Sequence, residues 1–144
     1  MEEKLWKACE VGKVEDVPTL LQNEYINVNW PEPKYSMTPF YIACENGHLE
    51  IVKMLLNDQR VDINKAFRVN VKTPLQIAQQ RAGSTRKFGF EPDEQFQRAK
   101  RNCPKIVELI ESFQRDPTET RAKLRKELAI CKIFLFLFFH ILID

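Results

Sequence analysis

Residues 37–56 read MTPFYIACENGHLEIVKMLL. Apolar residues recur in this stretch at the three- and four-residue spacing of a helix face, yet Gly47 falls in its middle. Thr38-Pro39 suits a helix start, because a threonine hydroxyl can accept from an orphan amide and proline tolerates the first helical position. Glycine ends such a helix at low conformational cost. Leu49, Val52, Leu55 and Leu56 then supply the apolar stripe of a second helix. The stretch therefore predicts a helical hairpin turned at Gly47. Such a hairpin cannot bury both its faces alone, so it also predicts copies of itself stacked alongside.

One shift of the chain against itself, 35 residues, finds those copies. It lays Leu5 on Phe40, Ala8-Cys9 on Ala43-Cys44, Gly12 on Gly47 and Leu20-Leu21 on Leu55-Leu56. It lays Ile26-Asn27-Val28-Asn29 on Val61-Asp62-Ile63-Asn64, and Thr38-Pro39 on Thr73-Pro74. Each unit reads as helix, turn, helix and extended loop. The third unit is split: TPLQIAQQ at 73–80 resumes as IVELIESF at 106–113. The excess over the second unit is an insertion at about 82–101, AGSTRKFGFEPDEQFQRAKR. Its first half is loop-like, and Asp93 predicts a helix start with Phe96 and Ala99 facing inward.

The TPFYIACENGHLEIVKMLL segment closely resembles the ankyrin repeat, whose pattern opens T-P-L-H-x-A. The histidine of that pattern is replaced by Trp6, Tyr41 and Gln76. The resemblance implies an all-α, ankyrin-like α-solenoid of about three helix-turn-helix repeats with a C-terminal helical extension. The repeats fall at about 4–36, 37–71 and 72–113, giving a repeat domain over 1–113. Residues 114–128 follow as a capping helix: Asp116 caps, Pro117 enters, and Glu119 completes the start. Leu124 and Leu128 share its inner face, and Arg121 with Arg125 give it a basic outer face.

The last stretch, 129–144, is an apolar tail, AICKIFLFLFFHILID. Three readings stay open for it: a membrane anchor, a lid on the end of the stack, or a segment foreign to the fold. A spanning helix needs about 20 apolar residues, which this stretch does not reach.

Composition is that of an ordinary globular chain, with 44% hydrophobic and 29% charged residues, and a net charge of +2 predicts no global attraction to nucleic acid. Residues 81–128 nevertheless carry a net +4, and Phe88, Phe90 and Phe96 lie among the basic positions there. That pattern makes a phosphate or nucleic-acid binder an alternative, diluted by Glu91, Asp93 and Glu94. Cys9, Cys44, Cys103 and Cys131 form no C-x-x-C pair, so no metal site is expected. Cys44 and His48 stand four apart, but Cys9 occupies the same repeat position as Cys44, which points to a small buried hydrophobe. Gly12, Gly47, Gly83 and Gly89 are too scattered to cradle a phosphate. No cofactor and no catalysis are expected. MEEKLWKACE opens the chain without a signal peptide, and the expected compartment is the cytoplasm with reduced thiols.

Family resemblance implies binding of another protein through the concave face, with loop tips and exposed first-helix positions making contact. By repeat position these are Glu10 and Val11 in the first unit, and Lys34, Tyr35, Met37, Glu45 and Asn46 in the second. In the third they are Val69, Asn70, Lys72, Gln80 and Arg81, with Tyr35 and Arg81 as the expected anchors. The expected state is monomeric apart from the tail.

Overall fold

The computed structural model describes residues 1–65 and 72–141, with side chains described as far as Ile130 and at Lys132. Among these residues seven helices follow one another: α1 (Glu2–Val11), α2 (Asp16–Leu21), α3 (Pro39–Asn46), α4 (Leu49–Asn57), α5 (Pro74–Gly83), α6 (Asp93–Arg115) and α7 (Pro117–Ile141). Among the described residues there is no strand. The first helices α1, α3 and α5 stack in that order, and α2, α4 and α6 lie behind them as the second helices.

Local chemistry sets the helix ends where the repeat pattern puts them. Thr38 Oγ1 accepts from the Tyr41 amide at 3.1 Å. Thr73 does the same for Gln76 at 3.2 Å, and Gln76 Oε1 accepts the Thr73 amide in return at 2.8 Å, a complete capping box. Gly12 and Gly47 close α1 and α3 in the left-handed region, with φ of 84° and 71°. Space demands glycine there as well. A Cβ on Gly47 would lie 2.8 Å from Ala99 Cα, and one on Gly12 would lie 2.4 Å from His48 Cε1.

The core repeats with the sequence. Leu5, Ala8 and Cys9 are buried in the first unit, as are Phe40, Ala43 and Cys44 in the second and Ile77 and Ala78 in the third. Behind them Ile51, Val52, Leu55 and Leu56 meet Ile106 and Ile110, all with no exposure. Each such side chain contributes roughly 1.5–3 kcal/mol by leaving water. The extended loops bury Ile26, Val28, Val61 and Ile63 in step. Asn29 joins one loop to the next, donating to the Arg60 carbonyl at 2.7 Å and accepting the Asp62 amide at 2.8 Å.

The expected helix start at Asp93 stands, and from there the chain runs in one unbroken helix to Arg115, through Pro104. Ala99, Cys103, Ile106, Ile110 and Phe113 form a single buried stripe at four- and three-residue steps along it. That stripe gives the insertion's second half the same inner face as the repeat helix, so nothing separates them. Pro104 has no amide to offer the Lys100 carbonyl one turn earlier, and both residues lie on the exposed side of the helix.

Asp116 caps α7 as expected, accepting the Glu119 amide at 2.9 Å, and Leu124 is buried. Of the predicted basic outer face, Arg125 stays exposed, whereas Arg121 turns inward. Arg121 Nε donates to the Leu56 carbonyl at 3.0 Å while its guanidinium lies 4.8 Å from the Phe113 ring centroid. Arg125 Nε donates to Asn57 Oδ1 at 3.3 Å. The helix C-terminus of α4 carries unpaired carbonyls and partial negative charge, and these two arginines answer both. Arg60 serves α2 in the same way, reaching the Leu21 carbonyl at 2.8 Å, and Leu21 and Leu56 are one repeat apart. Helix α7 then continues through residues 129–141 of the apolar tail. Among the described residues no helix is long and apolar enough to cross a membrane.

Candidate functional site: a groove along the first helices

The C-terminal ends of α1, α3 and α5 come side by side, and one repeated bond aligns them. Asn46 Nδ2 donates to the Glu10 carbonyl at 3.0 Å. Arg81 Nε donates to the Glu45 carbonyl at 3.0 Å. Asn46 and Arg81 are one repeat apart, as are Glu10 and Glu45, so the same position staples each first helix to the one before it. His48 Nε2 lies 3.1 Å from the Glu10 carbonyl, which can only accept, so that nitrogen carries the proton. Burial holds His48 below its ordinary pKa.

Arg81 was expected as an exposed anchor, and the structure overturns that placement. It is 2% exposed, and its guanidinium grips Glu91 with Nη1–Oε1 at 2.8 Å and Nη2–Oε2 at 2.6 Å. The Phe88 ring covers it, 4.5 Å from centroid to guanidinium carbon. Glu91 also accepts the Phe88 amide at 2.8 Å, and its own amide returns to the Phe88 carbonyl at 3.1 Å across Gly89. The bidentate hydrogen bonds from Arg81 hold the Glu91 carboxyl below its ordinary range. The first half of the insertion is thus a strap tied to α5. Its continuation α6 is tied to α3: Arg98 Nε donates to the Asn46 carbonyl at 2.9 Å and Asn102 to the Gly47 carbonyl at 2.8 Å.

Strap and first helices enclose a groove of about 630 Å³. Five of the predicted contact residues line it, namely Glu10, Val11, Glu45, Asn46 and Arg81, together with Lys7 and Ile42. The opposite wall is Phe88, Glu91, Pro92, Glu94, Gln95 and Arg98. Val11 is exposed and Glu10 half-buried, whereas Asn46 is buried like Arg81 and presents no free side chain. Glu45 is half-buried and makes no side-chain hydrogen bond or ion pair among the described residues. Burial pushes its carboxyl upward, Arg81 pulling the other way. Tyr41 beside it is raised to about 12, chiefly by burial.

Lys34 and Tyr35 lie exposed on the loop between the first two repeats, Lys34 Nζ 4.7 Å from the Tyr35 centroid. Glu32 shapes that tip by accepting the amides of both, each at 2.7 Å. Met37 is half-buried, packs on the core, and takes the Trp6 indole N–H on its carbonyl at 2.9 Å. Trp6, Trp30, Glu32 and Lys34 line a second groove of about 620 Å³, which shares Lys7 with the first. Lys72 and Gln80 are exposed and hydrogen-bonded to each other, apart from either groove. Val69 and Asn70 lie outside the described residues. Trp6, Trp30 and Ile42 were not anticipated, and Arg98 was read only as one of the basic positions of the insertion. Trp6 alone carried a signal, since it holds the position of the family histidine.

Four of the basic positions in and beside the insertion are engaged within the chain: Arg81 with Glu91, Lys87 with Asp93, Arg98 with the Asn46 carbonyl and Lys100 with the Ser84 carbonyl. Arg86, Arg101 and Lys105 have no such partner among the described residues, so part of the basic charge there stays free. Cys9, Cys44 and Cys103 are buried free thiols, all pushed up by burial, Cys9 to about 12 and Cys103 to about 11. Such thiols are poor nucleophiles at neutral pH. Among the described residues no group of three His, Cys, Asp or Glu could hold a metal.

A stack of helical hairpins with glycine turns, Thr-Pro starts and a groove along its first helices defines a repeat-built helical solenoid. Residues 3–67, a little under half of the chain, match the family model described as ankyrin repeats (3 copies), which supports an ankyrin-repeat protein. The match stops short of Thr73, where the interrupted third unit begins. No curated protein and no solved structure matches the chain. Ankyrin repeats are generally protein–protein interaction modules.

Proposed function

We propose that the protein is a non-catalytic adapter that binds another protein along the groove between α1, α3 and the strap. The observation that carries this reading is the groove itself, about 630 Å³ walled by helices that cross-repeat hydrogen bonds already hold in place. A preformed wall needs little ordering when a partner docks, so more of the contact energy appears as affinity. The exposed Lys34 and Tyr35 tip and the Trp6–Trp30 groove extend the surface, Lys7 joining the two. A surface of this size fits micromolar to nanomolar binding.

Site-specific photocrosslinking tests the face. A photoreactive phenylalanine placed at Val11, inside the groove, is compared with one at Tyr25, which is exposed on another part of the chain. Incubation with lysate of the source cells should give partner adducts at Val11 and none at Tyr25. Adducts confined to Tyr25, or equal at both, would move the binding surface elsewhere.

A further inference from the structure

The charges in the groove do not balance, and the imbalance has a sign. Lys7 is engaged by Glu10, and Arg81 by Glu91 and the Glu45 carbonyl. Arg98 gives its Nε to the Asn46 carbonyl. Glu45 and Glu94 are the lining carboxylates left without a hydrogen bond or ion pair among the described residues. Glu45 sits half-buried on the helix wall, where its charge is poorly hydrated.

We infer that the partner segment filling this groove is basic, and that it seats a lysine or arginine side chain on the Glu45 carboxylate. This rests on the concave-face reading above. An acidic segment would face Glu45 and Glu94 with one partly engaged guanidinium, Arg98, to offset it. A purely apolar segment would cover Glu45 further and leave a buried carboxylate with no partner, which is unfavourable. An ammonium or guanidinium supplies the missing donor as a charge-assisted hydrogen bond and restores neutrality. Arginine adds a flat face for Phe88 and Ile42, both of which border the same groove.

A random-peptide phage library panned against the full chain tests this. The enriched peptides should share a lysine or arginine, and the affinity of the best should fall at least about tenfold in Glu45→Gln. Glu111→Gln, an exposed carboxylate on α6 outside the groove, should leave affinity unchanged. Thermal melts of both variants establish that the fold is intact. A consensus without a basic residue, or affinity within about twofold in Glu45→Gln, overturns the inference. If binding is then still lost in Val11→Arg, the concave-face reading survives without its basic partner. If Val11→Arg also binds normally, or if nothing is enriched, both fall.

Discussion

Replacing Arg81 with methionine keeps most of the side-chain volume and removes the guanidinium. Three donors go with it: two to the Glu91 carboxylate at 2.8 and 2.6 Å, and one to the Glu45 carbonyl at 3.0 Å. The Arg81 and Glu91 side chains are 1% and 6% exposed, so the carboxylate left behind has little access to water unless the strap moves. Removing one member of a buried pair costs about 3–5 kcal/mol. Glu91 keeps the Phe88 amide and stands on a loop that can turn outward, which places the expectation near the lower end, about 3 kcal/mol. At about 2–4 °C per kcal/mol for a chain of this size, the midpoint should fall by roughly 6–12 °C.

Urea and thermal unfolding by circular dichroism would be measured for Arg81→Met, Glu91→Gln and the double variant. The double variant should recover about 2 kcal/mol relative to the sum of the singles, because the unpaired charge is then gone. The pair also carries a pH signature. The folded Glu91 carboxyl titrates below its ordinary 4.5, so its contribution is complete above that value and is lost as pH falls through the lower folded value. Arg81→Met should flatten that acid limb. A single variant that loses less than about 1 kcal/mol, or a strictly additive double, would refute the strap as a stability element.

Gly47→Val should lower stability by about 3 kcal/mol or more, since a φ of 71° and a 2.8 Å approach to Ala99 Cα both exclude a branched side chain; an unshifted melt would remove the turn assignment. Thr73→Ala should cost about 1 kcal/mol by opening the capping box. The same unfolding assay reads it against Thr85→Ala, an exposed threonine on the strap, and equal losses in the two variants would deny the cap its role. His48 is held neutral by burial, so its stabilising effect is present above the ordinary value of 6.5 and fades as pH falls below it. His48→Gln should therefore lose part of the stability slope below pH 6.5, and an unchanged slope would assign that titration to another group.

Much of the fold could be read because a repeat writes the same physics more than once. Gly12 and Gly47, Thr38 and Thr73, and the Cys9–Cys44 pair each confirm the other at one shift. The site was less legible for the same reason. Periodicity equated Arg81 with Asn46 and read both as exposed contacts, but it could not show that they point back at the preceding helix. The partner of Arg81 is Glu91, which lies in an insertion with no counterpart in the other units, so no repeat could predict the pair. Likewise the inward turn of Arg121 depends on the open carbonyls of α4, a feature of packing across 65 residues of chain. The Glu45 position was legible as a contact; its lack of a counter-charge was not, because that is a property of everything around it.

The buried thiols give the stack a built-in set of clocks. Cys9 lies in the first unit, Cys44 in the second and Cys103 in the third, and each is sealed in the native state. A thiol reagent can reach such a group only when its own layer opens. With Cys131 replaced by serine, the three labelling rates would read the opening of three successive layers in one unmodified core. Equal rates would describe a chain that opens as a unit, and a graded series would show from which end the solenoid frays.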